Sequence, residues 1–84
     1  MESKTFSEIE LGAFFLDKSK ALCMKTQDVE CLIPDGDIVW DDGFNAIGFD
    51  KGRYYKNRFN EEDLVTSIDI HKDLELLMNK LEGY

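Results

Sequence analysis

Residues 26–59 read TQDVECLIPDGDIVWDDGFNAIGFDKGRYYKNRF, and the rest of the chain is organised around this stretch. Three turn signals divide it: PDGD at 34–37, DDG at 41–43 and DKG at 50–52. Proline pre-sets φ and glycine tolerates positive φ, so these three short segments favour tight turns. Short apolar or alternating segments between turns are typical of antiparallel strands. The stretch therefore predicts strands at 29–33, 38–40, 44–49 and 53–59.

The segments that flank this stretch predict a hairpin and a helical turn. Residues 13–16 are apolar, residues 17–20 are polar, and residues 21–25 read as the return strand of a hairpin. Thr5 and Glu8 have the spacing of a capping box, which predicts one helical turn that carries Phe6 and Ile9 inward. Residues 1–4 are expected to fray.

The C-terminal part changes period. Residues 64–70 alternate and predict a strand, although NEED at 60–63 also resembles a helix start, so a helix there stays an alternative. Leu74, Leu77, Met78 and Leu81 then follow helical spacing. They predict an amphipathic helix over 71–82, closed by Gly83, whose apolar stripe packs on the sheet.

Together these elements predict one domain, residues 1–84, with a barrel-like sheet over 5–70 and a C-terminal helix over 71–82. The class is α+β and mainly β. The architecture is a small curved antiparallel sheet or an SH3-like partial barrel.

Three groups of residues follow one another in a recognisable order of motifs. They are Thr5, Phe6, Glu8, Ile9, Leu11, Gly12 and Phe15, then Leu22, Met24, Lys25 and Thr26, then Asn45, Ala46, Ile47, Gly52, Phe59 and Val65. This order of motifs resembles that of a group of small phage and prophage proteins. The resemblance covers residues 5–65 and implies an SH3-like barrel of about five strands in a phage-like setting, with no reaction attached. Three features depart from the pattern of that group. Met24 stands where the group usually has an aromatic residue. The segment 27–43 is longer and more acidic than in the group, and the helix after His71 is an addition.

The composition limits the kind of protein. A chain of 84 residues buries a modest core, which suits a binding module better than an enclosed active site. The N-terminus has no apolar signal region, and we expect a cytoplasmic protein of a bacterial host cell. Cys23 and Cys31 are expected to be buried, reduced thiols, with a disulfide left open on parity alone. No cofactor is expected, nor a metal, because zinc would need two more ligands and His71 is the single histidine.

The charge is distributed unevenly. Residues 26–50 contain seven acids and no base, namely Asp28, Glu30, Asp35, Asp37, Asp41, Asp42 and Asp50. One interpretation is that spaced carboxylates occupy a basic groove built for phosphates. The other is a solvated, turn-rich surface, since aspartate favours turns. A calcium loop starting at Asp35 fails, because its glycine position is Trp40 and its last ligand position is Ala46.

Aromatic side chains among these acids complete the predicted partner-binding site. Trp40 and Phe44 are candidate apolar anchors, although Trp40 fits a core position equally well. The predicted site comprises Asp35, Asp37, Trp40, Asp41, Asp42, Phe44 and Asp50. Its expected partner is a protein with a basic surface, and the resulting hypothesis is an inhibitor that occludes a nucleic-acid-handling enzyme, as anti-CRISPR or anti-restriction proteins do.

A second candidate site follows directly in the chain. Bases and tyrosines interleave along one predicted strand, namely Lys51, Arg53, Tyr54, Tyr55, Lys56 and Arg58. Single-strand nucleic-acid binders use that mixture of stacking and charge. The net charge of −8 disfavours direct nucleic-acid binding, and these bases could instead neutralise neighbouring acids.

Two further expectations concern the class of protein. No nucleophile with a base, oxyanion hole or phosphate loop accompanies His71, so we expect that the protein is not an enzyme. The alternative to occlusion is an assembly module that acts through its C-terminal helix or a sheet edge, as a homodimer for example.

Overall fold

The computed structural model describes residues 2–30, 32–41 and 43–82, and for residues 32, 33, 35 and 38–41 it describes the backbone alone. The strands are β1 Glu2–Thr5, β2 Phe14–Leu16, β3 Leu22–Val29, β4 Leu32–Asp35, β5 Ile38–Asp41, β6 Phe44–Asp50, β7 Arg53–Asn57 and β8 Leu64–Ser67. A 3-10 turn spans Phe6–Glu8, and helix α1 spans Leu74–Glu82. The predicted α+β, mainly β class is confirmed.

Six strands form one antiparallel sheet in the order β1-β8-β2-β3-β6-β7, and β4 pairs with β5 alone. The sheet is open and curved, so of the two predicted architectures the curved sheet is the one observed. Residues 64–70 supply a strand and not a helix, and β8 covers their first four positions.

The expectation of fraying is wrong for residues 2–4, and Met1 lies outside the described residues. Strand β1 pairs with β8 from Glu2 opposite Ser67 to Thr5 opposite Leu64. Nothing local in these residues favours a strand. The pairing supplies their backbone hydrogen bonds, and the paired residues lie 59 to 65 positions away in sequence.

Two hairpin turns follow from local chemistry. The Asp17 carboxylate accepts hydrogen bonds from the N–H groups of Ser19 and Ala21, at 2.8 and 2.9 Å, which closes the β2–β3 turn. Lys51 and Gly52 both adopt positive φ, 49° and 75°, between the paired residues Asp50 and Arg53. Two positive-φ residues match the right-handed twist of the flanking strands.

One apolar cluster lies on one face of the sheet and carries an aromatic centre. It contains Phe6, Ile9, Phe15, Cys23, Ala46 and Val65, with Ala13 and Phe59 packed against it. The Phe6 ring stacks on Phe59 at 5.1 Å between centroids and meets Phe15 edge-on at 5.6 Å. Thr5 donates its N–H to the Glu8 carboxylate at 3.1 Å, so the predicted helical turn and its two inward residues are confirmed.

A second cluster lies on the opposite face, because neighbouring strand residues point to opposite sides and Leu22 belongs here while Cys23 belongs to the first. It contains Leu16, Leu22, Ile68 and Leu77. Leu77 comes from α1, so the helix does pack on the sheet. The helix starts at Leu74 and not at 71, because the Asp69 carboxylate accepts the N–H of His71 at 2.8 Å and forms a turn there.

Candidate functional site: the acidic hairpin and its base

The acid-rich segment forms a hairpin of its own. Strands β4 and β5 pair from Leu32 opposite Asp41 to Asp35 opposite Ile38, and Gly36 and Asp37 form the turn. Gly36 has φ 64°, which glycine adopts without strain. The predicted turn at 34–37 is therefore placed correctly but is two residues shorter, since Pro34 and Asp35 belong to β4. Proline is tolerated in such an isolated pair because both strands have an open side.

The predicted acids are distributed along this hairpin. Asp35 ends β4, Asp37 is exposed in the turn, and Asp41 ends β5. The Trp40 backbone lies opposite Ile33. Whether the Trp40 side chain is core or exposed, and the positions of Asp42 and Cys31, lie outside the described residues.

The base of the hairpin is held by one side chain. Arg58 places Nη2 3.1 Å from Asp28 Oδ1, and the same nitrogen donates to the Val29 carbonyl at 3.2 Å. Its Nε donates to the Gly43 carbonyl at 3.4 Å. Val29 ends β3 and Gly43 precedes β6, so Arg58 joins the two chain segments between which the hairpin emerges. The sequence pattern offered Arg58 for a nucleic-acid surface or for neutralising neighbouring acids, and for Arg58 the contact with Asp28 agrees with the second alternative.

Phe44 lies beside this base. Its side chain is half-buried, and the Lys56 ammonium lies 5.7 Å from the ring centroid, within cation–π range. Asp50 is exposed at the other end of β6, roughly 20 Å away at about 3.3 Å per residue. The structure therefore brings Phe44 to the hairpin and separates Asp50 from it.

The second predicted site also divides into parts. Lys56 and Arg58 contact the hairpin base, whereas Lys51, Arg53 and Tyr54 are exposed near the opposite end of β6. Tyr55 lies across the backbone of Gly48, and the pKa of its hydroxyl is raised by burial and by the nearby Cys23, Asp17 and Asp50. The six residues thus share a strand region but not one surface.

The buried thiol does not have the properties of a nucleophile. Cys23 is a free cysteine with no exposed surface, and burial, helped by the charge of Asp17, raises its pKa to about 12. The thiolate is the reactive form, so a thiol with this pKa is inert near neutral pH. For Cys23 the predicted buried, reduced state is confirmed.

His71 and the acids near it fill structural roles. His71 is exposed, and its N–H and that of Lys72 hold the Asp69 carboxylate, which lowers the Asp69 pKa. A recess of about 390 Å³ nearby also includes Glu8, whose pKa is lowered by its hydrogen bonds from Thr5. Among residues 2–30, 32–41 and 43–82, no three potential ligands are grouped as a metal would need.

The third surface is an exposed apolar face of helix α1, which the sequence did not predict. Of the four residues in the expected apolar stripe of α1, Leu77 is buried, whereas Leu74, Met78 and Leu81 are 49%, 53% and 40% exposed. That part of the prediction is wrong, because the helix turns residues 76, 77 and 80 towards the sheet: Leu76 packs on the core and Lys80 reaches the Lys20 carbonyl at 3.0 Å. Three apolar side chains at i, i+4 and i+7 remain uncovered.

Comparisons of the chain with models of known protein families, with curated proteins and with solved structures give no match. The resemblance to small phage proteins therefore stays a prediction. In the described part of the chain, no helix is long and apolar enough to cross a membrane.

Proposed function

We propose that this chain is a small, phage-type binding protein that occludes a basic surface of a nucleic-acid-handling protein in a bacterial cell. The β4–β5 hairpin would enter the partner, and its carboxylates would occupy positions that phosphates otherwise take. One observation carries the proposal: among the described residues, strands β4 and β5 of the acidic hairpin pair with each other, apart from the six-stranded sheet that holds the core.

The charge of the segment supports this proposal. Between residues 26 and 43 the chain has six acids and no base, namely Asp28, Glu30, Asp35, Asp37, Asp41 and Asp42. Arg58 engages Asp28 at the base, and the acids beyond it have no base near them in sequence. A row of carboxylates attracts a basic groove and speeds encounter with it.

The contacts at the base add a second, weaker support. Binding is tighter when the bound geometry exists beforehand, because less conformational entropy is lost on association. Arg58 joins both ends of the hairpin through three contacts, which restrains the angle at which it leaves the sheet. An acidic arm held in this way suits a groove of defined shape better than an unstructured acidic tail would.

The test is affinity capture from a bacterial lysate with the tagged chain, read by mass spectrometry, with and without excess duplex DNA. We expect one nucleic-acid enzyme, lost when DNA competes. Asp37→Lys with Asp41→Lys should abolish capture. Glu62→Lys with Glu82→Lys changes the formal charge equally, away from the hairpin, and should leave capture intact. Equal loss in both pairs, or a partner indifferent to DNA, would contradict occlusion by the hairpin.

A second candidate function is self-assembly through α1, and the exposed Leu74, Met78 and Leu81 favour it. Sedimentation of the wild type would then show a concentration-dependent dimer, and Met78→Glu would abolish it. Asn79→Glu adds the same charge at the next position and is the control. Truncation before α1 is a poor test, because it removes Leu77 from the core. A monomer at high concentration would remove this candidate.

A further inference from the structure

Outside one end of the sheet, most of the described lysine and arginine side chains contact another group of the protein. Lys25 donates to the Phe6 carbonyl at 2.9 Å, Arg58 holds the hairpin base, Lys56 lies over Phe44, and Lys4 lies 3.9 Å from Glu2. By contrast, the side chains of Lys18, Lys20, Lys51 and Arg53 make no hydrogen bond or salt bridge within the described ranges. All four are exposed, so their charges face solvent.

The topology brings these unengaged cations to one end of the sheet. Leu22 pairs with Phe49, which sets the β2–β3 turn, with Lys18 and Lys20, beside the β6–β7 turn. Asp50 pairs with Arg53 across that second turn, which contains Lys51. Lys80 of α1 joins them, because its ammonium donates to the Lys20 carbonyl at 3.0 Å. The basic end is the name used below for the group formed by Lys18, Lys20, Lys51, Arg53 and Lys80. Asp17 and Asp50 are the acids of its two turns.

A recess opens at the basic end. It has a volume of about 250 Å³, and its lining includes Lys20, Leu22, Phe49, Asp50, Asn79 and Lys80. Tyr54 pairs with Phe49 and therefore lies on the same face of the sheet, at the edge strand. Tyr54 is 72% exposed, so its ring is accessible to a ligand. An apolar floor, an amide, an exposed ring and several cations thus lie together.

The net charge of −8 does not exclude an anion from this end. The acidic hairpin leaves the sheet from the other ends of β3 and β6, and β6 alone spans roughly 20 Å at about 3.3 Å per residue. Exposed charges are largely screened beyond about 8 Å at physiological salt. The five bases and two acids at this end therefore determine the charge of the ligand that it attracts. The net charge of the chain adds these groups to the distant acids of the hairpin, whereas the structure keeps the two sets apart.

From this arrangement we infer that the basic end binds single-stranded nucleic acid. The cations contact the phosphodiester backbone, and Tyr54 stacks on a base beside the recess. Backbone charge combined with an exposed aromatic ring is the combination that single-strand binders use. The site differs from the one that the sequence pattern predicted, since Lys56 and Arg58 lie at the hairpin base and Lys18, Lys20 and Lys80 replace them. It does not depend on the function proposed for the hairpin.

The experiment is fluorescence anisotropy of a labelled oligo-dT fifteen-mer titrated with the full chain at several salt concentrations. If four cations contact phosphates, log K falls against log salt with a slope of about −3. Arg53→Glu should weaken binding about tenfold at low salt and reduce the slope. Lys72→Glu, an exposed lysine outside the basic end with the same charge change, should alter binding less than twofold.

Tyr54 tests the stacking part separately. Tyr54→Ala should weaken binding about tenfold, a loss near 1.4 kcal/mol and within the range for one stacked base, while the salt slope stays unchanged. Tyr54→Phe should retain the affinity, because the ring face and not the hydroxyl stacks. Equal losses for Arg53→Glu and Lys72→Glu, or no binding at 50 mM NaCl, would overturn the inference. So would low-salt sedimentation that shows the chain associating with a second copy and not with the oligonucleotide.

Discussion

Arg58 and Asp28 form an ion pair of 3.1 Å that lies at the base of the acidic hairpin. Exposed ion pairs alone contribute about 0–1 kcal/mol, and both side chains here are partly exposed. The significance of the pair lies in its position. The same guanidinium donates to carbonyls on both sides of the hairpin, at Val29 and Gly43. Asp28 from the acidic stretch and Arg58 from the basic stretch thus contact each other at the base of the hairpin.

Arg58→Ala should loosen the hairpin without unfolding the sheet. We expect faster hydrogen exchange for amides in residues 32–41, whereas amides of β2, β3 and β6 in the core keep their protection. Arg53→Ala removes an arginine with no such contacts and should change neither set. Asp28→Asn should have a smaller effect, since the two carbonyl contacts remain. Unchanged hairpin exchange in Arg58→Ala would show that Arg58 does not restrain the hairpin.

Gly48→Ala should destabilise the protein because Tyr55 occupies the space of the added methyl group. A Cβ atom at Gly48 would lie 2.6 Å from the Tyr55 hydroxyl oxygen and closer still to the ring. Overpacking of this kind typically costs about 1–3 kcal/mol, measurable by denaturant unfolding.

The double variant Gly48→Ala with Tyr55→Ala gives the decisive comparison. It should lose less free energy of unfolding than the two single variants summed, since the clash disappears with the ring. Additive losses would mean that the ring moves aside at no cost, and that the contact does not restrict position 48.

The sequence predicts the turns well and the long-range contacts poorly, for identifiable physical reasons. Lys51-Gly52 and Gly36-Asp37 form turns because glycine removes a local steric cost, which requires no knowledge of the fold. The pairing of β1 with β8 depends on residues 59 to 65 positions apart, and no local pattern in residues 2–5 signals it.

The helix and the candidate site show the same limit. Residues 74, 76, 77, 78 and 81 are all apolar, so two stripes overlap, and periodicity cannot say which one meets the sheet. The acidic and basic composition of residues 26–58 was visible in the sequence. The division of the bases between the hairpin base and the far end of β6 was not, because strand pairing decides it.

The buried and the exposed apolar side chains of α1 should contribute differently to stability. Leu77→Ala should cost about 2–5 kcal/mol, because Leu77 is 5% exposed and packs with Leu16, Leu22 and Ile68. Leu74→Ala makes the same truncation on a side chain that is 49% exposed, and should stay within about 0.5 kcal/mol. Denaturant unfolding of the two variants distinguishes the faces. Similar losses would mean that the helix packs through the stripe that the sequence predicts.

Cys23 should resist alkylation in the folded protein at pH 8, because it is fully buried and its pKa is raised to about 12. Iodoacetamide followed by tryptic mapping isolates its reaction, since Lys20 and Lys25 bracket it in a peptide without Cys31. Denaturant should restore rapid modification. Rapid labelling of Cys23 in the native protein would contradict its burial.

The same raised pKa predicts how stability responds to alkaline pH. Folding keeps the Cys23 thiol protonated, so its contribution is fully present below the unfolded pKa near 9 and is lost as pH rises towards 12. The raised pKa of Tyr55 acts in the same direction above about 10. Unfolding free energy measured from pH 8 to 11 should therefore fall for the wild type and fall less steeply for Cys23→Ala. Equal slopes for the two proteins would mean that the thiol titrates alike in the folded and unfolded chains.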